Sequence, residues 1–254
     1  DELSEVARRC RENEVPMYTL GVGSNLLVGD AGVKGAVVRL QGGEFAETEI
    51  VSTTVRAGAG AEMGRLVLRC VREGLSGLEG LTGIPGSIGG CVRMNAGGAF
   101  GDIGNAVESV DVMTESGEVF TRHRGELAFA YRSTNITARF IVAAEFTLTQ
   151  DDPHRILRQV KQIWMYKKNT QPLAQRNAGC VFKNPRGLSA GALIDRAGLK
   201  GKRVGGAVVS EKHANFIVTE RGATASDVLK LINVIRETVY KTSEVYLELE
   251  IEVW

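Results

Sequence analysis

Residues 77–104, GLEGLTGIPGSIGGCVRMNAGGAFGDIG, constrain what this 254-residue chain can fold into more than any other stretch. Ten of these 28 residues are Gly, and only Glu79, Arg93 and Asp102 are charged. Glycine loses the most backbone freedom on folding, so such a run weakens a fold unless bare backbone is needed there. Two needs present themselves: positive φ in tight turns, and peptide N–H groups turned unobstructed toward an anion. Both describe a buried loop that wraps a phosphate-bearing cofactor. The bland alternatives are a flexible linker and a collagen-like fragment. Gly77, Gly80, Gly83, Gly86 and Gly89 do recur at every third position. The repeat stops there, however, and Leu78, Leu81, Ile84 and Ile88 give it an apolar content that linkers lack.

A smaller cluster precedes it at Gly21-Val22-Gly23-Ser24-Asn25. Its N–H groups, with Ser24 and Asn25, could hold a pyrophosphate, and an ordinary β-turn accounts for it equally. It is not the dinucleotide fingerprint, because a third glycine at the required spacing is missing and no long helix follows.

Composition removes several classes. With 43% hydrophobic and 24% charged residues and a net charge of +1, the chain has neither a basic block nor an acidic tail. Neither nucleic acid nor an anionic membrane surface is therefore expected as a partner. No apolar run approaches the roughly 20 residues of a membrane span, and no signal-peptide pattern opens the chain. Cys10, Cys70, Cys91 and Cys180 are scattered without a CxxC pair, which favours free thiols in a reducing compartment, the cytosol. With three unpaired histidines, no metal site is expected.

Periodicity predicts an α+β chain. Leu3, Val6, Ala7 and Cys10 mark an amphipathic helix. Strands are predicted at 15–20, 35–40 and 53–57, and a helix at 61–71 with Leu66, Val67, Cys70 and Val71 inside and Gly74 at its end. Residues 107–113 and 118–121 read as a hairpin and 140–148 as a long strand. Pro153 opens a helix that runs to about Asn169, with Ile156, Leu157, Val160, Ile163 and Trp164 as its core stripe. Residues 192–201 read as a short helix, 205–218 as a loop and strand, and 225–241 as the clearest helix. Residues 245–254 alternate like a half-exposed strand, for which Glu250 is one of a solvated acidic face.

Three polar stretches remain. Tyr131-Arg132-Ser133 reads as a surface turn on its residues alone. Cys180, between Gly179 and Val181, reads as a buried small residue before a reactive one, but Lys183 and Asn184 beside it suit a phosphate or sugar. His213, next to Lys212, could be a general base or a surface or sugar contact.

GLEGLTGIPGSIGG followed by NAGGAFG closely resembles the flavin-binding segment of the UDP-N-acetylenolpyruvoylglucosamine reductase family, which acts in bacterial peptidoglycan-precursor synthesis. GVGSNLLVGDAG resembles the family's first flavin motif, Tyr131-Arg132-Ser133 its YR.S stretch, residues 178–185 its AGS.FKNP motif, and Leu247-Glu248-Leu249-Glu250-Ile251 its LE.EV ending. The resemblance spans nearly the whole chain and implies a two-part FAD-binding region of the vanillyl-alcohol-oxidase/PCMH type plus an α+β substrate domain. The boundaries implied are 1–41 and 42–150 for the two flavin subdomains, 151–243 for the substrate domain, and 244–254 for a strand returning to the active site. A short strand region ahead of the first helix is missing, so the first subdomain is expected to be N-terminally incomplete. From 155 to 241 there is no room for the tyrosine-bearing insertion of one family type, so the shorter type is expected.

The family implies non-covalent FAD, NADPH as hydride donor and a UDP-sugar as substrate. FAD is expected on Gly21, Gly23, Ser24, Asn25, Gly83, Ile84, Pro85, Gly86, Gly89, Gly90, Asn95, Ala96 and Gly97. Cys91, among the glycines, is given a backbone role rather than a covalent link. Lys183, Asn184 and Lys212 are expected on the substrate. Arg132 would fork a carboxylate and stabilise an enolate, with Glu250 as the active-site carboxylate. Cys180 stands where the family has the proton-donating serine. A thiol, with an ordinary pKa of about 8.5, is a better acid than a hydroxyl and can fill that role. Thr134 and Thr219 are milder departures. A small-alcohol oxidase on the same fold and a nucleotide-sugar-binding protein with a decayed flavin site are the alternatives.

Overall fold

Phe140–Thr147, apolar at nearly every position, forms the middle of a five-stranded antiparallel sheet. Its neighbours are Val107–Met113, followed outward by Val119–His123, and Thr54–Gly58, followed outward by Thr48–Val51. Both sides of a central strand must be apolar because both faces of the sheet are covered. On one face, Ile141, Ala144 and Phe146 join Val55, Ala57, Val110 and Val112 against the helix Met63–Arg72, which contributes Met63, Leu66, Val67, Cys70 and Val71. On the other, Phe140 and Met113 meet Ala7 of the helix Glu2–Glu12, with Leu3, Met17 and Val38 beside them. Burying each such Leu, Val or Phe is worth about 1.5–3 kcal/mol before chain entropy is subtracted. The parallel pair Met17–Thr19 with Ala36–Val38 flanks this second core.

The structure is a computed structural model and describes residues 2–254. The chain divides into two compact units: Asp1–Val22 with Lys34–Trp164, and Gly23–Val33 with Met165–Trp254. The sheet above belongs to the first. In the second, Arg203–Val204, Ala207–Val209 and Ile217–Thr219 make a three-stranded antiparallel sheet. Its core gathers Leu193 and Ile194 of the helix Ala190–Arg196 with Val228, Leu231, Ile232, Ile235 and Val239 of the helix Ala225–Ser243. The latter begins on a capping box: Thr224 Oγ1 accepts from Asp227 N–H and Asp227 accepts from Thr224 N–H, both at 3.1 Å. Asp30 accepts from the next two orphan donors, Ala225 N–H at 2.7 Å and Ser226 N–H at 3.0 Å. The helix thereby holds residues 23–33 in this unit.

Three expectations change. Residues 77–104 are not one loop, for they contain the helix Ile88–Arg93, two short 3-10 turns and the pair Gly97–Gly98 with Gly101–Asp102. Trp164 is 45% exposed rather than core, since it sits one residue past Ile163 and faces off the buried stripe. Residues 245–254 are not a continuous strand. Only Glu252–Val253 pairs, in parallel with Leu26–Leu27, and Leu249 makes one isolated bridge to Phe182. A ladder needs a partner along its length, and here each partner is two residues long or less. The strand Thr48–Val51 was not foreseen. Its alternation is short, and its outward residues are Glu49 and Val51.

Candidate active site

Within the first unit the glycine stretch is zipped, main chain to main chain, onto residues 59–63. Met63 N–H donates to Gly86 O at 3.0 Å, Ile88 N–H to Ala61 O at 2.9 Å and Gly89 N–H to Ala59 O at 2.8 Å. The contact at Gly89, and the Cys91 thiol at Gly86, leave no room for side chains. A Cβ on Gly89 would lie 2.9 Å from Ala59 Cβ, and one on Gly86 would lie 2.5 Å from Cys91 Sγ. Neither has positive φ, so bare backbone is needed there for close approach rather than for a turn. Gly83 is the turn glycine of this part, with φ +73.

Beside this zipper lies a cleft with about 600 Å³ of open space, lined by Leu20, Gly21, Val22, Gly60, Ser87, Gly89, Gly90, Arg93, Arg139 and Ile141, among others. Arg93 is tied down by donating to the carbonyls of Ile136, Ala138 and Arg139. Burial, and then the nearby Arg139 charge, push its pKa below the usual guanidinium range. Two cations held beside bare glycine backbone are the surroundings a pyrophosphate needs. The residues therefore fit a dinucleotide such as FAD. Arg93, Arg139 and Ser87 were missed in the sequence. Arg93 had one signal, being among the few charges in the glycine stretch; Arg139 had none.

Expected cofactor residues fall into two groups. Gly21, Gly89 and Gly90 line the cleft, and Gly86 sits in the zipper behind it. Ile84 is half-buried and packs on the main core, while Pro85 is exposed. Asn95 is buried, with its Nδ2 donating to Ala130 O at 2.9 Å and its Oδ1 accepting from Gly104 N–H at 3.0 Å. Ala96 N–H is spent on Cys91 O at 2.7 Å.

Asn95 thereby ties the glycine stretch to the tight hairpin Phe129–Ala130 with Ser133–Thr134, whose turn is Tyr131-Arg132. Arg132 has φ +53, a conformation that costs a non-glycine residue about 1–3 kcal/mol and clusters at functional sites. Its side chain is only 13% exposed, with Nη2 donating to Gly97 O at 2.8 Å and Nη1 3.9 Å from Asp102 Oδ1. Gly97 must lack a side chain, because a Cβ would overlap Asp102 Oδ1 at 1.9 Å. A surface turn does not account for this arginine: it is held in a strained, half-enclosed setting.

Within the second unit, residues 180–183 lie between two other segments. Cys180 bridges Phe216 on one side, and Phe182 bridges Leu249 on the other. Lys183 N–H donates to Glu248 O at 2.9 Å and Glu250 N–H to Val181 O at 2.8 Å. This antiparallel register puts Cys180 and Glu250 on adjoining segments, one residue out of step. Gly179, at φ +79, makes the turn that delivers Cys180. Cys180 is half-buried, unlike Cys70 and Cys91, whose thiols are buried and pushed up to about 12 by desolvation. Those two are inert packing residues; Cys180 is accessible to chemistry.

Gly23 has φ +74, and Ser24 is half-buried. Asn25, expected on the cofactor, is placed with its Nδ2 donating to Glu250 O at 3.0 Å, while its own carbonyl accepts from Glu252 N–H at 2.9 Å. Lys183 Nζ lies 3.8 Å from Glu248, Asn184 Oδ1 accepts from Ala190 N–H at 3.0 Å, and Lys212 Nζ donates to Lys168 O at 2.9 Å.

Residues 1–122 match the FAD binding domain family and residues 171–254 match the C-terminal domain of UDP-N-acetylenolpyruvoylglucosamine reductase. The enzyme of that name numbered 2 from Symbiobacterium thermophilum is 44% identical over all of this chain and 82% of its own length. Its namesake from Syntrophus aciditrophicus is 42% identical over the same shares. The chain belongs to the UDP-N-acetylenolpyruvoylglucosamine reductase family. The crystal structure of such a reductase from Thermus caldophilus superimposes with a TM-score of 0.85 at 43% identity, covering 96% of this chain and 87% of that one. Family membership accounts for the cleft and the glycine zipper together, as parts of an α+β FAD-binding fold. It disfavours a small-alcohol oxidase and a relic binding protein. Among the described residues no helix is long and apolar enough to cross a membrane.

Proposed function

We propose that the chain reduces the enolpyruvyl double bond of UDP-N-acetylglucosamine enolpyruvate, giving UDP-N-acetylmuramate at the expense of NADPH, in the cytosol. The observation that carries this reading is the Cys180 segment, stitched by main-chain bonds to the segment bearing Glu250. Bound FAD would supply the hydride-transfer chemistry that links NADPH to the double bond. Gly21, Gly89, Gly90, Ser87, Arg93 and Arg139 would hold its pyrophosphate region.

The chain's own residues do the rest. Arg132 takes the substrate carboxylate, and its fixed charge stabilises the enolate that hydride addition creates. Glu250 is the active-site carboxylate that the family resemblance implies. Cys180 gives its proton to the carbon bearing the carboxylate, and solvent then restores the thiol. Hydride plus proton balances the reduction. Lys183, Asn184 and Lys212 serve the UDP-sugar. A half-buried thiol outside any disulfide, in the family's serine position, supports the proton-donor role.

Anaerobic rapid mixing tests it. Cys180→Ala should leave reduction of bound FAD by NADPH near the native rate and slow its reoxidation by the enolpyruvyl substrate about 10²–10⁴-fold. Cys180→Ser should retain far more, since a hydroxyl can do the same job. Native reoxidation in the Ala variant would move the proton donor to Glu250 or water. Loss of both half-reactions would make Cys180 a packing residue.

A further inference from the structure

Phe182 bridges Leu249 on one edge, while its own N–H and C=O both turn to the other edge, where they meet a side chain in place of a strand. The Asn215 carboxamide takes that place: Phe182 N–H donates to its Oδ1 at 3.0 Å and its Nδ2 donates to Phe182 O at 2.8 Å. The Asn215 carbonyl also accepts from Val181 N–H at 2.8 Å. One residue thus fixes three main-chain groups of Val181 and Phe182, next to Cys180. Asn215 is itself 3% exposed, so it cannot exchange these partners for water. It is oriented in turn by His213, whose Nδ1 accepts from Asn215 N–H at 3.2 Å and whose ring meets Phe216 edge-on at 4.9 Å. Only a carboxamide offers a donor and an acceptor in one rigid plane, matched to a peptide's own N–H and C=O.

We infer that Asn215 is a positioning residue for the protonation step: its carboxamide sets the direction of the main chain that carries Cys180 and so aims the thiol at the substrate carbon. The inference rests on Cys180 being the proton donor. Chemistry supplies a readout that packing alone would not move. The carbon that receives the proton becomes the stereocentre of the lactyl group. An aimed thiol delivers to one face, whereas a misaimed thiol lets water compete from either.

The test uses FAD-loaded enzyme and four proteins: native, Asn215→Leu, Asn215→Asp and Cys180→Ala. Asn215→Leu loses both bonds to Phe182, and Asn215→Asp keeps the acceptor for Phe182 N–H. Both Asn215 variants should be reduced by NADPH at the native rate. Reoxidation by UDP-N-acetylglucosamine enolpyruvate should fall about 10²-fold in the Leu variant, the scale of a misplacement near 1 Å, and less in the Asp variant. The Leu product should contain both configurations at the lactyl carbon. Should the Leu variant fail to fold, the Asp variant carries the same two readouts. A single configuration with native reoxidation would overturn the inference, as would equal slowing of both half-reactions. If Cys180→Ala itself reoxidises at the native rate with one configuration, the proton-donor reading fails, and the inference falls with it. If only Cys180→Ala is impaired, the inference about Asn215 fails alone.

Discussion

At His213 the sequence leaves a general base and a sugar contact open, and the structure gives the ring a different part. Its Nδ1 accepts a main-chain N–H, which requires that nitrogen to be unprotonated. Burial, and then the Lys200 charge, lower its pKa from 6.5. The folded state therefore binds this proton less readily than the unfolded chain does. The associated stability is fully present above the ordinary value and is lost as pH falls from there through the lowered one. As pH falls below the ordinary histidine value, thermal midpoints should drop more steeply in the native protein than in His213→Asn, whose Oδ1 accepts without titrating. Parallel pH profiles would show that His213 does not couple to folding. At this scale the residue types of the proposed site stand in motifs the sequence displays: an arginine, a thiol and a carboxylate. Their settings were not legible. The left-handed φ of Arg132 and the Asp102 carboxylate over Gly97 depend on a hairpin and a turn that meet only in three dimensions.

Elements with a strong period and a closed end were the most legible. The helix Ala225–Ser243 shows its buried stripe at Val228, Leu231, Ile232, Ile235 and Val239 in the bare sequence, while its capping box emerges with the structure. Its second cap was invisible, since Asp30 comes from a segment 195 residues away. Thr224→Ala and Asp30→Ala should each cost about 1 kcal/mol of stability, read as a lower urea midpoint with unchanged slope. An Asp30→Ala variant of native stability would mean that solvent satisfies those N–H groups equally well. Residues 245–254 show the opposite case. Their alternation is real, with Leu247 and Ile251 buried, yet alternation reports only which side faces a core and not whether a neighbouring strand exists. The glycine stretch likewise announced close backbone approach but not the helix Ile88–Arg93 inside it, because glycine carries a poor helix propensity that tertiary contact overrides here.

For the whole molecule, the order of five motifs along the chain identified the family where composition alone could not. What chain order conceals is that residues 23–33 share a unit with 165–254, joined by the Leu26–Leu27 pairing to Glu252–Val253. Pairing between segments so far apart leaves no mark in local periodicity. The proposed activity requires this chain to cycle bound FAD between NADPH and an enolpyruvyl UDP-sugar. Under strict exclusion of oxygen, purified protein should show a visible flavin band that NADPH bleaches. Addition of UDP-N-acetylglucosamine enolpyruvate should then restore the band in stoichiometric proportion and yield UDP-N-acetylmuramate. A protein without the band, or one whose colour returns only when oxygen is admitted, would contradict the account.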